Sequence, residues 1–137
     1  MLHEQLSNKI IASAIAVHRA VGPGLAEHSY HTAMAIEMTD RGMRFQSKPV
    51  LMVTYKGATI GCHIPDFIVE GLIVVELKAV RSIEPVFVAQ ALTYLRVTKL
   101  EVALVINFNV EALKFGVKRV VKEILRASAP PRPMSES

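Results

Sequence analysis

Residues 72–80 read LIVVELKAV, a run apolar enough for a strand covered on both faces, yet it carries Glu76 and Lys78. Side chains alternate along a strand. Val74, Glu76, Lys78 and Val80 therefore project one way, and Val75, Leu77 and Ala79 the other. Upstream, ATIGCHIPDFIV (residues 58–69) has the same strand character and brings Asp66, with Glu70-Gly71 as the turn between the two runs. This pair of strands is the strongest constraint on the fold: it demands a sheet interior that tolerates two carboxylates and an ammonium.

Where Asp66 points depends on the turn. A two-residue loop at Glu70-Gly71 pairs Asp66 with Val75, away from the Glu76 face. A three-residue loop, Val69-Glu70-Gly71, pairs it with Val74 and puts it diagonal to Glu76, with Cβ atoms about 7–8 Å apart. The second register, or a bulge with the same effect, also keeps Ile64, Ile68 and Val74 on a common face, and it is the expected one. Two carboxylates about 4 Å apart repel by roughly 4 kcal/mol at an effective dielectric near 20. Protonation, pairing with Lys78 or a divalent cation relieves that repulsion, and Mg²⁺ suits carboxylate and carbonyl oxygens. With the cation, Lys78 stands where it can orient a water or stabilise charge developing on a phosphate. The competing reading is an exposed strand end whose Glu–Lys pair contributes under about 1 kcal/mol.

The rest of the chain frames these strands. Leu6, Ile10, Ala14, Val17 and Val21 have helical spacing, and Gly22-Pro23-Gly24 stops that helix. A second helix is predicted from Ala26 to Arg41, with Gly42 as its stop. PVLMVTYKG supplies a strand before the two charged runs. Pro85 fits the first turn of a third helix, EPVFVAQALTYLRVT, and EVALVINF reads as a buried strand. NVEALKFGVKRVVKEILRA is predicted to be a closing amphipathic helix, and residues 128–137, rich in Pro and Ser, a disordered tail. The expected fold class is α/β: a mixed central sheet of about four strands flanked by helices, in the order α-α-β-β-β-α-β-α, as one domain over residues 1–127. No apolar run approaches the roughly 18 residues that span a bilayer, and the N-terminus lacks a signal-peptide layout. The lone Cys62 excludes an internal disulfide and favours a reducing, cytoplasmic setting. A net charge of +4 permits a polyanionic partner without demanding one.

Pro65-Asp66 followed by Glu76-Leu77-Lys78 resembles the PD-(D/E)xK signature of the restriction-endonuclease-like nucleases. Gly24 to Tyr30, GLAEHSY, fits a further pattern, G-x-x-E-x-x-Y. The order of YKG, PD, VVELKAV, AQALTYL and INFNVEALKFGVKRV is similar to the small bacterial GxxExxY proteins, a branch of that superfamily. The resemblance spans most of the chain except the tail. It implies metal ligation by Asp66 and Glu76, with the Leu77 carbonyl as a further ligand and Glu27 as the acid added from the helix before the sheet. Lys78 is then the catalytic lysine. Gln90 and Tyr94 resemble the QxxxY element of related branches; their i, i+4 spacing puts both on one helix face, near the site or the substrate backbone. The implied activity is Mg²⁺-dependent phosphodiester hydrolysis, with Mn²⁺ as an alternative ion and DNA favoured over RNA. A homodimer would give so small a chain enough surface for a duplex. The rival reading is an inactive module that keeps the nuclease fold to bind nucleic acid or a protein.

Other residues carry weaker signals. Tyr30 reads as a support for Glu27, and Glu37 lies too far along the same helix to join it. His28 and His31 are three apart, but nothing completes four zinc ligands. Lone His63 beside a strand end reads as solvated. On the closing helix Lys118, Lys122 and Arg126 form an i, i+4, i+8 stripe, with Lys114 and Arg119 nearby, that suits phosphate contacts without base reading.

Overall fold

The computed structural model describes residues 2–122. Helix α1, Glu4–Val21, and helix α2, Glu27–Asp40, come first, joined by the Gly-Pro-Gly turn. Strands β1 (Phe45–Ser47), β2 (Leu51–Tyr55), β3 (Ala58–His63), β4 (Phe67–Val69) and β5 (Ile73–Lys78) follow. Helix α3, Pro85–Thr98, with Pro85 in its first turn, crosses over to β6, Val102–Asn107. A short 3₁₀ turn, Leu113–Gly116, leads into β7, Val117–Val121. The main sheet has strand order β1-β4-β5-β6-β7, with β5 and β6 parallel and the other pairs antiparallel. Strands β2 and β3 form a separate two-stranded sheet.

Alternation along the central strands sorts the core into two layers. Phe67, Ile73, Val75 and Leu77 face α1 and α2, with Ile10, Tyr30, Met34 and Met38. Ile68 and Val74 face the other way, onto Ala91, Tyr94 and Leu95 of α3, with Leu51 of β2 at the margin. All six residues of β6 are buried, as its apolar run predicts. Tyr30 explains why α2 begins where it does. Its ring stacks on Phe108 at 4.4 Å, and its hydroxyl donates to the Gly22 carbonyl at 2.6 Å while accepting the Leu25 N–H.

Three expectations need correction. The closing helix over 109–127 is absent from its described part, which is a 3₁₀ turn and the edge strand β7. Val117, Val120 and Val121 are β-branched, and pairing against the fully buried β6 outweighs the weak helical periodicity of this stretch. Gly116 is required at the junction: a Cβ there would lie 2.0 Å from the Asn107 carbonyl oxygen. Arg126 and the tail lie outside the described residues. The long run ATIGCHIPDFIV is also two strands, not one, broken at Ile64-Pro65-Asp66, and β1 joins the main sheet as a strand the pattern did not signal.

Candidate active site

The turn between β4 and β5 decides the register. Glu70 and Gly71 both have positive φ, at 52° and 67°, and the Leu72 N–H closes the turn on the Val69 carbonyl at 2.9 Å. Leu72 is then an extra residue, and the ladder pairs Phe67 with Val75, Ile68 with Val74 and Val69 with Ile73. Asp66 therefore lies beyond the strand end at the level of Glu76, rather than opposite Val74 or Val75. The expected register is corrected; the expected meeting of the two carboxylates is retained.

Pro65 explains why the strand stops there. Carried two residues further, the ladder would set Pro65 opposite Leu77, and Pro has no N–H to give the Leu77 carbonyl. The Leu77 N–H is taken instead by Asp66 Oδ2 at 2.8 Å. Asp66 thus folds back across the end of β5, and its own N–H donates to Glu76 Oε1 at 3.2 Å. Its other carboxylate oxygen, Oδ1, meets His31 Nδ1 of α2 at 2.7 Å.

Glu76 sits on the α3 side, only 12% exposed. The Tyr94 hydroxyl donates to its Oε2 at 3.2 Å, and Lys78 Nζ lies 3.6 Å from the same oxygen. Lys78 also stands over the Phe87 ring, 4.5 Å from its centroid, which holds the ammonium at the mouth of the site. Burial, and then Asp66 beside it, push the Glu76 carboxyl up to about 7, against the opposing pull of Lys78 and Tyr94. Burial and the Glu76 charge raise the Tyr94 hydroxyl above its usual range, so it stays a donor.

The remaining expected residues divide. Glu27, in the first turn of α2, reaches the same end of β5 and accepts the Ala79 N–H at 3.3 Å. Its carboxylate serves the backbone there instead of joining the other two. Among the described residues no three His, Cys, Asp or Glu side chains converge as a metal-binding group. Gln90 is half-buried, one turn before Tyr94, and makes no hydrogen bond to the carboxylates. Lys118 is on β7, not on a helix. It pairs with Val105, which pairs in turn with Glu76, so it shares the Glu76 row roughly 10 Å away across two strand spacings. Lys122 bonds through its N–H to the Glu101 carbonyl at the opposite end of the sheet, which removes it from the site. The predicted Lys118–Lys122 stripe does not form, because strand geometry separates the two by about 13 Å.

His31 is the contact that spacing did not reveal. Its spacing from His28 leads to no zinc set, and its partner Asp66 is 35 residues away in the chain. The sole sequence clue is its place one helical turn after Glu27, on the face of α2 turned toward the sheet. His63 also lies close: its ring meets the Tyr94 ring edge-on at 5.8 Å.

A family model described as the PD-(D/E)XK nuclease superfamily matches residues 4–120, from the start of α1 to within β7. Neither a curated protein nor a solved structure matches the chain. The match covers α1, α2, the whole β4–β5 hairpin and α3, so both signature carboxylates and the lysine fall inside it. On that match, the chain belongs to the PD-(D/E)XK nuclease superfamily.

Proposed function

We propose that this protein is a divalent-cation-dependent nuclease, hydrolysing phosphodiester bonds at Asp66, Glu76 and Lys78, with DNA favoured over RNA and Mg²⁺ favoured over Mn²⁺. One observation carries the reading: two carboxylates are held together in a largely buried site at a cost reflected in the raised Glu76 carboxyl, and an ammonium stands beside them. A bound cation would relieve that cost. The donor set is all oxygen, as a hard cation requires: Asp66, Glu76 and the Leu77 carbonyl, which Pro65 leaves without a ladder donor. A bound divalent cation would neutralise the carboxylate pair and polarise a phosphoryl oxygen.

The chain's own groups divide the remaining tasks. Lys78 offers a positive charge at the mouth of the site, where negative charge grows on the phosphate during attack. Tyr94 holds Glu76 in place, and Gln90, one turn earlier, is available to the substrate backbone. Glu27 adds negative charge at the end of β5. Lys118, in the Glu76 row, is a basic side chain that could meet a neighbouring phosphate. A homodimer in the cytoplasm, using the apolar residues exposed on the β2–β3 hairpin, would set two sites against two strands. The deciding experiment offers supercoiled, linear, single-stranded and branched DNA, and RNA, with Mg²⁺ or Mn²⁺. Cutting that chelators stop and that Asp66→Ala and Lys78→Ala lack supports the reading; cutting unchanged in both variants refutes it.

The separation of Glu27 from the other two acids favours a second reading, a module that binds nucleic acid or a protein without cutting. It predicts no heat of Mn²⁺ binding and no cleavage of any substrate in the panel.

A further inference from the structure

We propose that His31 is a positioning residue, locked by Ser47, that fixes the Asp66 carboxylate in its cation-binding orientation. The inference rests on the reading of Asp66 as a ligand.

His31 is 6% exposed, and both of its ring nitrogens are engaged. Nδ1 lies 2.7 Å from Asp66 Oδ1 and Nε2 lies 2.9 Å from Ser47 Oγ, so neither is free to ligate a cation itself. The ring is stacked on Phe67 at 4.2 Å and 12°, and Phe67 is braced edge-on by Phe45 at 5.1 Å. With the ring plane set by stacking, the hydrogen bonds decide the tautomer. In the neutral ring Nδ1–H donates to the Asp66 carboxylate, which leaves Nε2 to accept from the Ser47 hydroxyl.

The consequence falls on Asp66. Oδ1 receives His31 and Oδ2 receives the Leu77 N–H, so each oxygen has one fixed donor and keeps lone-pair capacity. A carboxylate held at both oxygens cannot swing to solvent, and just beyond the end of β4 the Asp66 backbone is held as well, its carbonyl accepting the Lys48 N–H at 2.8 Å. Two elements that precede the β4–β5 hairpin in the chain, α2 through His31 and β1 through Ser47, thereby set the direction of one side chain. Partners of this kind typically change metal affinity by about ten- to a hundredfold when removed.

The test uses the full chain and Mn²⁺ alone, followed by calorimetry, with the melting temperature of the metal-free protein measured in parallel. His31→Phe keeps an aromatic ring against Phe67 and removes both hydrogen bonds. His31→Asn restores a donor near the Nδ1 position. Ser47→Ala leaves the ring but frees its tautomer. The expected order of affinity is wild type, then Ser47→Ala, with His31→Asn above His31→Phe, the last weakened about ten- to a hundredfold. Wild-type affinity in His31→Phe overturns the inference, as does an Asn variant no better than Phe. If His31→Phe fails to fold, Ser47→Ala decides: unchanged affinity overturns the locking role, and weakened affinity at an unchanged melting temperature supports it. A wild-type protein that binds no Mn²⁺ overturns the ligand reading itself, a result distinct from equal binding by wild type and variants.

Discussion

The two hairpins of this protein invert each other. In β4–β5 the charges are inside: Glu76 and Lys78 have side chains only 12% and 14% exposed. In β2–β3 the apolar groups are outside, with Met52 at 51% and Ile60 at 66% exposure. Stability alone selects neither pattern, since buried charge costs free energy and exposed apolar surface forgoes it. A buried polar group and an exposed apolar patch are the observations that point beyond folding. The first hairpin keeps its charges in a setting suited to chemistry, and the second keeps its apolar residues in a setting suited to contact. The variants that follow remove one inversion at a time.

The largest effect is expected from Lys78→Met, which keeps the apolar stem over Phe87 and removes the ammonium. Cleavage should fall by about 10²–10³-fold, the usual cost of losing a single charge-stabilising group. The metal-free fold should survive. Cleavage within tenfold of wild type would show that the buried ammonium is structural, and the contrast between the hairpins would lose its catalytic half.

Glu76→Gln tests the cost of the buried charge directly. The folded pKa of about 7 exceeds the ordinary value of 4.5, so the folded state holds the proton more tightly than the unfolded chain. Stability from this group is complete below about pH 4.5 and is lost as the pH rises through about 7. In metal-free protein at pH 8, Gln in place of Glu should therefore stabilise by about 1–3 kcal/mol, and at pH 4 by little. Denaturant titrations at the two pH values measure it. Equal effects at both would mean that Glu76 is not strained by its surroundings.

Tyr94→Phe is a smaller perturbation of the same site. Loss of the hydroxyl removes a donor to the carboxylate, so the Glu76 carboxyl should rise further and the acid limb of the pH–rate profile should move to higher pH. The loss in stability should be about 1 kcal/mol. A profile that does not move would separate Tyr94 from the working state of Glu76.

How legible each hairpin was follows from the range of the contacts that build it. The Glu76 and Lys78 faces follow from period-two alternation within β5, a short-range pattern, whereas the approach of Asp66 depends on the register that the turn sets. The register itself escaped, because the extra residue is Leu72, which nothing local marks as a bulge. His31 is less legible still, because its partners Asp66 and Ser47 come from other elements and its spacing from His28 carries no sign of them. The same holds for β7, whose strand state is set by pairing with β6 and not by its own period. The resemblance implies Glu27 as a further acid of the metal site, whereas in the structure its carboxylate accepts the Ala79 N–H, a contact that no spacing rule reports.

The smallest effect on stability, and the sharpest on the second hairpin, is expected from Ile60→Lys. Ile60 is the unpaired residue where the β2–β3 register shifts between Val53 and Thr54, and its side chain is mostly in water already. A charge there removes little packing, so folding free energy should change by no more than about 0.5 kcal/mol. Val50, Met52, Tyr55 and Ile64 are exposed along the same hairpin and its flanks. If these residues meet a second copy, lysine at position 60 places like charges in the interface and should shift the protein toward monomer in sedimentation velocity. Cleavage per site on single-stranded DNA should stay the same while duplex cleavage drops, because only the duplex needs two sites. A wild-type monomer at high concentration would leave the apolar hairpin without a self-partner and confine the purpose of the inversion to the charged strand.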